Sequence, residues 1–301
     1  MYELQNQMYL EKSNIYQYKQ CKNCNYTVID YGKPYEILMT PKLQNQNSAL
    51  FIICTQPSEK ELRDLFRLII KYYQQKYNIQ YLFTLTKDDN IPRVKEKLLM
   101  ENEQYKDMLV FNHTNNYQNL ALTVLLTYHY INQINLNFKY IVKTDADCAI
   151  NIDLLMKLLY QQELLRKSEV YIGDCFKSTF SNKHPKHYVP REIVSENPVV
   201  ESVARGGLYI LSSNMIPRIL ISTRHLPFLT HQEDLTVGRA LNRLGYKCEN
   251  MYKKWISRYG CKSYCEKYIM IHPQYKKDEI YAYYNIFLRN ITQYHVFYSI
   301  I

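Results

Sequence analysis

Between residues 49 and 145 the chain alternates continuous apolar runs with stretches of helical spacing, and this alternation narrows the possible folds more than any other feature. Residues 49–54 (Ala-Leu-Phe-Ile-Ile-Cys) form an unbroken apolar run of the kind that fills a parallel strand covered on both faces. After Pro57, with Ser58 as a candidate N-cap, apolar residues recur at Leu62, Leu65, Phe66, Ile69, Ile70 and Tyr73, which predicts a helix over 59–77. Residues 81–86 read as a second strand. Pro92 opens a charged helix to about residue 103, residues 108–111 are a short strand, and residues 117–134 are an apolar helix leading into a strand that stops at Asp145. Strands and helices in this order predict an α/β fold with a mostly parallel central sheet covered by helices.

The last of these strands, Tyr140-Ile-Val-Lys-Thr-Asp145, ends in an acid-x-acid motif, Asp145 and Asp147 around Ala146. Two carboxylates two positions apart at the mouth of a strand point to the same side and can grip a divalent cation through oxygen. In open parallel sheets ligands bind beyond the carboxyl ends of the strands, which is where these residues fall. Downstream, residues 152–165 read as a helix and 170–172 as a strand ending at Gly173. A polar stretch with prolines at 185, 190 and 198 follows, of the kind that forms binding loops. Arg205-Gly206-Gly207 then precedes a strand over 208–211 and a helix from about Asn214.

At 301 residues and 47% hydrophobic composition the chain can bury a full core. Its formal charge of +10 suits a phosphorylated ligand, an anionic surface or nucleic acid. The basic residues are spread along the chain with no nucleic-acid-binding signature, so no nucleic-acid partner is expected. No window reaches about 18 uninterrupted apolar residues and residues 1–20 are polar, so neither a signal peptide nor a transmembrane anchor is expected in this chain. Eight cysteines include a C-x-x-C pair (Cys21, Cys24) and a C-x3-C pair (Cys261, Cys265); disulfides, free thiols and a four-thiolate zinc site all remain open. Asn25, Asn112 and Asn290 head glycosylation sequons.

Several blocks in collinear order carry a family resemblance. They are Tyr105-Lys106-Asp107-Met108, Tyr117-Gln118-Asn119-Leu120-Ala121-Leu122, Lys143-Thr144-Asp145-Ala146-Asp147 with Ile150-Asn151, Arg205-Gly206-Gly207-Leu208-Tyr209, and Glu233-Asp234-Leu235-Thr236-Val237-Gly238. Arg63 and Arg67 match a paired-arginine spacing near the first helix, and Ile271-His272 with Glu279-Ile280 matches a terminal histidine motif. Together these resemble glycosyltransferase family 31, the β1,3-galactosyltransferase and β1,3-N-acetylglucosaminyltransferase family. The sequence departs from the pattern where Leu68-Ile69-Ile70 stands in place of a tryptophan, at Thr123 in place of a lysine, and at Leu208 in the glycine turn.

The resemblance implies a GT-A, Rossmann-like domain over 49–290, with a poorly defined stem over 1–48 and a tail over 291–301. It implies inverting transfer of a hexose, galactose foremost, from a UDP-sugar donor to a glycan acceptor on protein or lipid, with Mn2+ or another divalent cation as cofactor. Asp147, Asp145 and His272 are the implied metal ligands, with Asp145 also on the ribose. Arg63, Arg67, Lys143 and Asn119 are implied donor contacts, and Gly206 and Gly207 an acceptor or donor turn. Asp234 is the candidate base that takes the acceptor proton, with Glu233 as its neighbour and substitute; Asp234 could instead cap the helix that follows. A β1,3-N-acetylglucosaminyltransferase and a non-catalytic glycan-binding or scaffold descendant are the alternatives. Family members lie in the Golgi membrane or lumen, where this chain would be held by a partner or by an anchor outside it.

Overall fold

A computed structural model of the protein describes residues 35–45, 48–87, 94–113, 119–161, 167–178, 201–224, 232–250, 256–257, 260–273 and 278–288. In chain order the elements are β1 (Ile37–Met39), β2 (Ala49–Cys54), α1 (Lys60–Tyr77), β3 (Ile79–Thr86), α2 (Val94–Tyr105), β4 (Met108–Phe111), α3 (Leu120–Ile134), β5 (Tyr140–Asp145) and β6 (Ala149–Ile150). They continue as α4 (Ile152–Leu159), β7 (Tyr171–Ser178), β8 (Glu201–Ser212), α5 (Ile216–Thr223), α6 (Glu233–Arg243), β9 (Glu249–Asn250), β10 (Ile256–Ser257), β11 (Met270–Ile271) and α7 (Asp278–Leu288).

One sheet runs in the order β1-β4-β3-β2-β5-β8-β7-β9. Its centre, β4-β3-β2-β5, is parallel, as the apolar runs predict. All six residues of β2 are buried, and the pleat deals them to opposite faces. Ala49, Phe51 and Ile53 join a core with α1, α4 and α7. Leu50, Ile52 and Cys54 join a second core with α3, α5 and α6. Each large apolar side chain so buried contributes about 1.5–3 kcal/mol.

The chain moves outward from β2 through β3 to β4, then returns to place β5 on the other side of β2. That reversal is a topological switch point, where a crevice opens beyond the strand ends between two diverging connections. The register fixes which residues border it, since Cys54 of β2 stands opposite Asp145 of β5.

Beyond β5 the sheet turns antiparallel through β8 and β7. A small second sheet, β10-β11-β6, packs beside it. Four local expectations need correction. Glu59, not Ser58, is the N-cap of α1, and its Oε2 accepts from Gln56 N at 3.0 Å. Residues 37–39 form an antiparallel edge strand on β4 although they fall in the segment expected as stem. Strand β7 continues through Gly173 to Ser178, and β8 begins at Glu201 rather than 208, because the two polar halves pair with each other. The residues expected as tail, and the helix starts expected at 92 and 117, lie outside the described residues. No helix among the described residues is long and apolar enough to cross a membrane.

Candidate active site

β5 delivers Asp145 to the crevice and the chain turns at once. Ala146 N donates to Cys54 O at 2.8 Å and Cys148 N donates to Asp145 O at 3.1 Å, so the turn is fastened to the end of β2 and to itself. Tyr284 of α7 braces it from behind, donating from its hydroxyl to Cys148 O at 3.1 Å. The cleft above is lined by Cys54, Thr55, Gln56, Thr84, Thr123, Asp145 and Asp147, among others, has a volume of about 180 Å³ and is open to solvent. It mixes hydroxyls, amides and carboxylates, a lining suited to a polar ligand.

His272 reaches this turn from 125 residues away. Strand β11 pairs antiparallel with β6, setting Ile271 opposite Ala149, and the next residue therefore arrives beside Asp147. The backbone of His272 is fixed by its N–H to Ser257 O at 2.8 Å and by its carbonyl accepting from Gly260 N at 3.3 Å. Its Nε2 lies 3.4 Å from Asp147 Oδ2. That contact raises the imidazole pKa above its ordinary value despite the opposing effect of burial. Ligand atoms of Asp147, Cys148 and His272 all lie within 4.8 Å of one another, so this group could hold a metal ion. Oxygen, nitrogen and sulfur donors at that separation fit a divalent first-row cation.

Lys143, one residue pair back along β5, is fully buried. Its ammonium donates to Asp145 Oδ1 at 2.8 Å, to Gly206 O at 2.7 Å and to Glu233 Oε1 at 2.6 Å. All three donors are thereby taken, and the side chain stands behind the acidic turn rather than in the cleft where a donor contact was expected. The other oxygen of Glu233 accepts from Tyr209 at 3.0 Å, and Tyr209 shares a 2.8 Å hydrogen bond with Tyr128. Burial opposes the charge on Lys143, but Asp145 and Glu233 outweigh it and hold its pKa well above the ordinary lysine range. One cation thus serves two acids. Burial raises the Asp145 pKa against the pull of Lys143. Burial, offset by Lys143 and reinforced by Asp234 and Asp145, raises Glu233 to about 7. Glu233 is only 3% exposed, so it faces this network and not an acceptor.

Asp234, the second residue of α6, is half-buried, whereas Glu233 beside it is buried. Its Oδ2 accepts from Gly206 N at 3.1 Å and its Oδ1 from Leu235 N at 2.8 Å. The N-cap of α6 is Gln232, so Asp234 does not occupy the capping position. Gly206 and Gly207 lie inside β8 and not in a turn. The register with β7 shifts between Gly173 and Cys175, so residues 205–208 bulge opposite Asp174. A Cβ at Gly206 would stand 2.6 Å from Glu233 Oε1, which is why the strand can pass so close to the carboxylate only as glycine.

The structure sends the paired arginines elsewhere. Arg63 is fully buried and forms a fork with Glu101, Nε to Oε1 and Nη2 to Oε2 both at 2.8 Å. Arg67 pairs in the same way with Asp107 at 2.7 and 2.9 Å, and also reaches Glu101 at 2.7 Å. Burial opposes the Glu101 carboxylate, yet the two guanidinium groups hold its pKa below the ordinary range. Neither arginine lines the cleft. Arg63 acts on it at one remove, its Nη1 donating to Gln56 O at 2.6 Å and so shaping the loop that forms one wall. Asn119 is the N-cap of α3, its carbonyl accepting from Thr123 at 3.0 Å; its neighbours Leu120 and Thr123 line the cleft while Asn119 does not. Glu101 and Tyr209 went unmarked in the sequence, although Tyr209 closes the Arg205-to-Tyr209 block. Disulfides join Cys175 to Cys248 and Cys261 to Cys265, which removes the second pair from any four-thiolate zinc site; Cys21 and Cys24 lie outside the described residues.

Comparison with known proteins bears on this site. The sequence profile described as galactosyltransferase matches residues 46–252, from the start of β2 through β9. A Xenopus laevis UDP-GalNAc:β-1,3-N-acetylgalactosaminyltransferase 2 is 28% identical over 189 residues, 62% of this chain and 36% of that protein. A rat lactosylceramide 1,3-N-acetyl-β-D-glucosaminyltransferase is 24% identical, covering 70% of this chain and 59% of that protein. Human β-1,3-galactosyltransferase 1 is 25% identical, covering 69% of this chain and 63% of that protein. The match therefore spans less than two thirds of each relative. Among solved structures, a glycosyltransferase involved in glycosylation of the major capsid of PBCV-1 superposes with a TM-score of 0.45 at 11% identity, over 79% of this chain and 99% of that one.

Proposed function

Because the chain belongs to the galactosyltransferase family, we propose that it is an inverting, metal-dependent hexosyltransferase. It moves a sugar, galactose in our reading, from a UDP-sugar to a hydroxyl of a glycan acceptor on protein or lipid, forming a β1,3 bond. The observation that carries this reading is the single buried bridge, Asp145–Lys143–Glu233, that ties the acidic turn of β5 to the start of α6. The bridge supports the reading because Asp145 shares its turn with Asp147, which His272 contacts, and Glu233 shares the first turn of α6 with Asp234.

An acceptor hydroxyl is a weak nucleophile, and its attack on the anomeric carbon requires a group to receive its proton as the bond forms. Asp234 is placed for this: half-exposed, held by two backbone N–H groups, and free of the lysine that occupies Glu233. General-base assistance of this kind contributes about 10²- to 10⁴-fold. Asp147 and His272 would hold the divalent cation, manganese or another, with Asp145 oriented beside them by Lys143. When bound, such an ion offsets the negative charge that grows on the departing diphosphate. Thr55, Gln56, Thr84 and Thr123 present neutral polar groups along the cleft wall for the nucleotide. Glu233, Tyr209 and Tyr128 position Lys143 and do not touch the reactants. The relatives' names span galactose, N-acetylgalactosamine and N-acetylglucosamine transfer, so the donor is the least constrained part of the proposal. We place the protein in the Golgi lumen or at its membrane; two disulfides support an oxidising compartment.

The test is donor turnover: purified protein, manganese and a panel of UDP-sugars, with UDP release measured with and without glycan acceptors. Release from UDP-galactose that is lost in both Asp147→Ala and Asp234→Asn is expected. Release that both variants retain would place the chemistry elsewhere.

A further inference from the structure

Cys148 follows the acidic motif directly, is fully buried, and is one of two free cysteines among the described residues. A thiol in a buried position needs no special role, because it packs as a small apolar group. Its surroundings distinguish it. The backbone of Cys148 is fixed on both sides, by Asp145 O to its N–H at 3.1 Å and by Tyr284 to its carbonyl at 3.1 Å. Its Sγ lies 3.9 Å from Asp147 Oδ1, and with the His272 nitrogen the three ligand atoms fall within 4.8 Å. Gly207 backs the sulfur: a Cβ there would meet Cys148 Sγ at 3.4 Å and Met270 Cε at 3.2 Å. The thiol is therefore buried against Gly207, with Asp147 beside it on a polar side that also includes His272.

We propose that Cys148 is a third protein ligand, a thiolate, of the divalent cation held by Asp147 and His272, and that the chain consequently retains its ion without nucleotide and favours softer ions than manganese. The inference rests on the metal-dependent reading above. Donor-to-ion distances of about 2.0–2.3 Å put two tetrahedral ligands of one ion roughly 3.3–3.8 Å apart, so a set already within 4.8 Å closes when its widest pair moves inward by about 1 Å through side-chain rotation. Coordination replaces the S–H bond by an S–metal bond, and the proton leaves to water through the open side of Asp147, which is 39% exposed. Carboxylate, thiolate and neutral imidazole together balance the two positive charges, whereas carboxylate and imidazole alone leave the ion dependent on diphosphate oxygens. Sulfur ligation favours zinc, cobalt and cadmium over manganese.

The test uses metal-free protein without nucleotide, in a Cys21→Ser, Cys24→Ser background so that the C-x-x-C pair contributes nothing. Cobalt is titrated in and the near-ultraviolet sulfur-to-cobalt charge-transfer absorption is read, followed by displacement with zinc and with manganese. A one-to-one band is expected, lost in Cys148→Val and Asp147→Ala and retained in Cys54→Ala. The preference for zinc over manganese should fall in Cys148→Val by at least about tenfold, the low end of what losing even an outer partner of a metal ligand costs. Circular dichroism of Cys148→Val checks that the apolar replacement leaves the fold intact. Cobalt that binds without the band, or a band that survives Cys148→Val, would overturn the thiolate ligand and leave the transferase reading standing. No binding of any of the three ions without nucleotide would overturn the thiolate ligand alone, because a site of Asp147 and His272 depends on diphosphate oxygens; failure to bind an ion even with UDP present would overturn both.

Discussion

Two clusters of buried charge, each matching a motif in the sequence, behave in opposite ways. In the first, Arg63 and Arg67 meet Glu101 and Asp107 with side chains no more than 7% exposed, and Asp64, 39% exposed, links Arg67 to Lys60 at the surface, so three positive charges face three negative. Aromatic faces close it further, with Arg67 stacked over Tyr105 at 4.0 Å and Phe83 at 4.9 Å. In the second, one cation, Lys143, is shared by Asp145 and Glu233, with Asp147 and Asp234 close by in sequence and side chains 30–39% exposed at Asp145 and Asp147. The first cluster is balanced in charge and buried at its centre; the second carries surplus negative charge and opens into a cleft at Asp145 and Asp147. Balanced charge that is buried fastens elements together, whereas unbalanced charge at an opening calls for a cation. Motif matching alone could not separate the two.

The comparison predicts effects that fall on different observables. The largest concerns turnover: Asp234→Asn should lower kcat about 10²- to 10⁴-fold, while costing only about 1–3 kcal/mol of stability where its NH2 faces one of the two backbone N–H groups, as steady-state assays and calorimetry on the same sample would show. Arg63→Met should do the reverse. Leaving Glu101 buried beside a half-emptied site should cost about 3–5 kcal/mol in denaturant unfolding, with the residual folded fraction still binding cation.

Glu233 offers a subtler test through pH. Its folded pKa of about 7 lies above the ordinary value of 4.5, so the native state holds that proton more tightly than the unfolded chain does. Stability from this group is therefore greatest below about pH 4.5 and declines as pH rises towards 7, by up to about 3 kcal/mol. Glu233→Gln should flatten that component of the profile, and unchanged pH dependence would mean the carboxylate is ordinary. The smallest effect is expected at Gly206, where Gly206→Ala pushes Glu233 off Lys143 and should cost about 1–3 kcal/mol, with a loss of activity that Gly245→Ala, in open space at the α6 terminus, would share only through stability.

The parallel core was legible because each of β2 to β5 contains a run of apolar residues and α1 carries its core residues three and four apart; only their ends moved. What escaped was made by partners far away. β1 is three residues long and exists because β4 offers it an edge. β6, β10 and β11 are two residues each, below any periodicity, yet they bring His272 to Asp147. The polar half of β8 reads as loop until β7 pairs with it. In the site, the acidic residues were readable from their spacing, but the fate of the cations was not. Arg63 and Lys143 find their carboxylates 38 and 90 residues away, and nothing local in the sequence says whether a basic side chain faces a ligand or an acid.

Calorimetric titration of UDP into the protein with and without manganese tests the central claim most directly. The account predicts binding that requires the ion, disappears with chelator and with Asp147→Ala, and persists in Glu233→Gln. UDP binding indifferent to both ion and Asp147, or no binding in any form, would contradict the assignment of the open cluster as the nucleotide-sugar site.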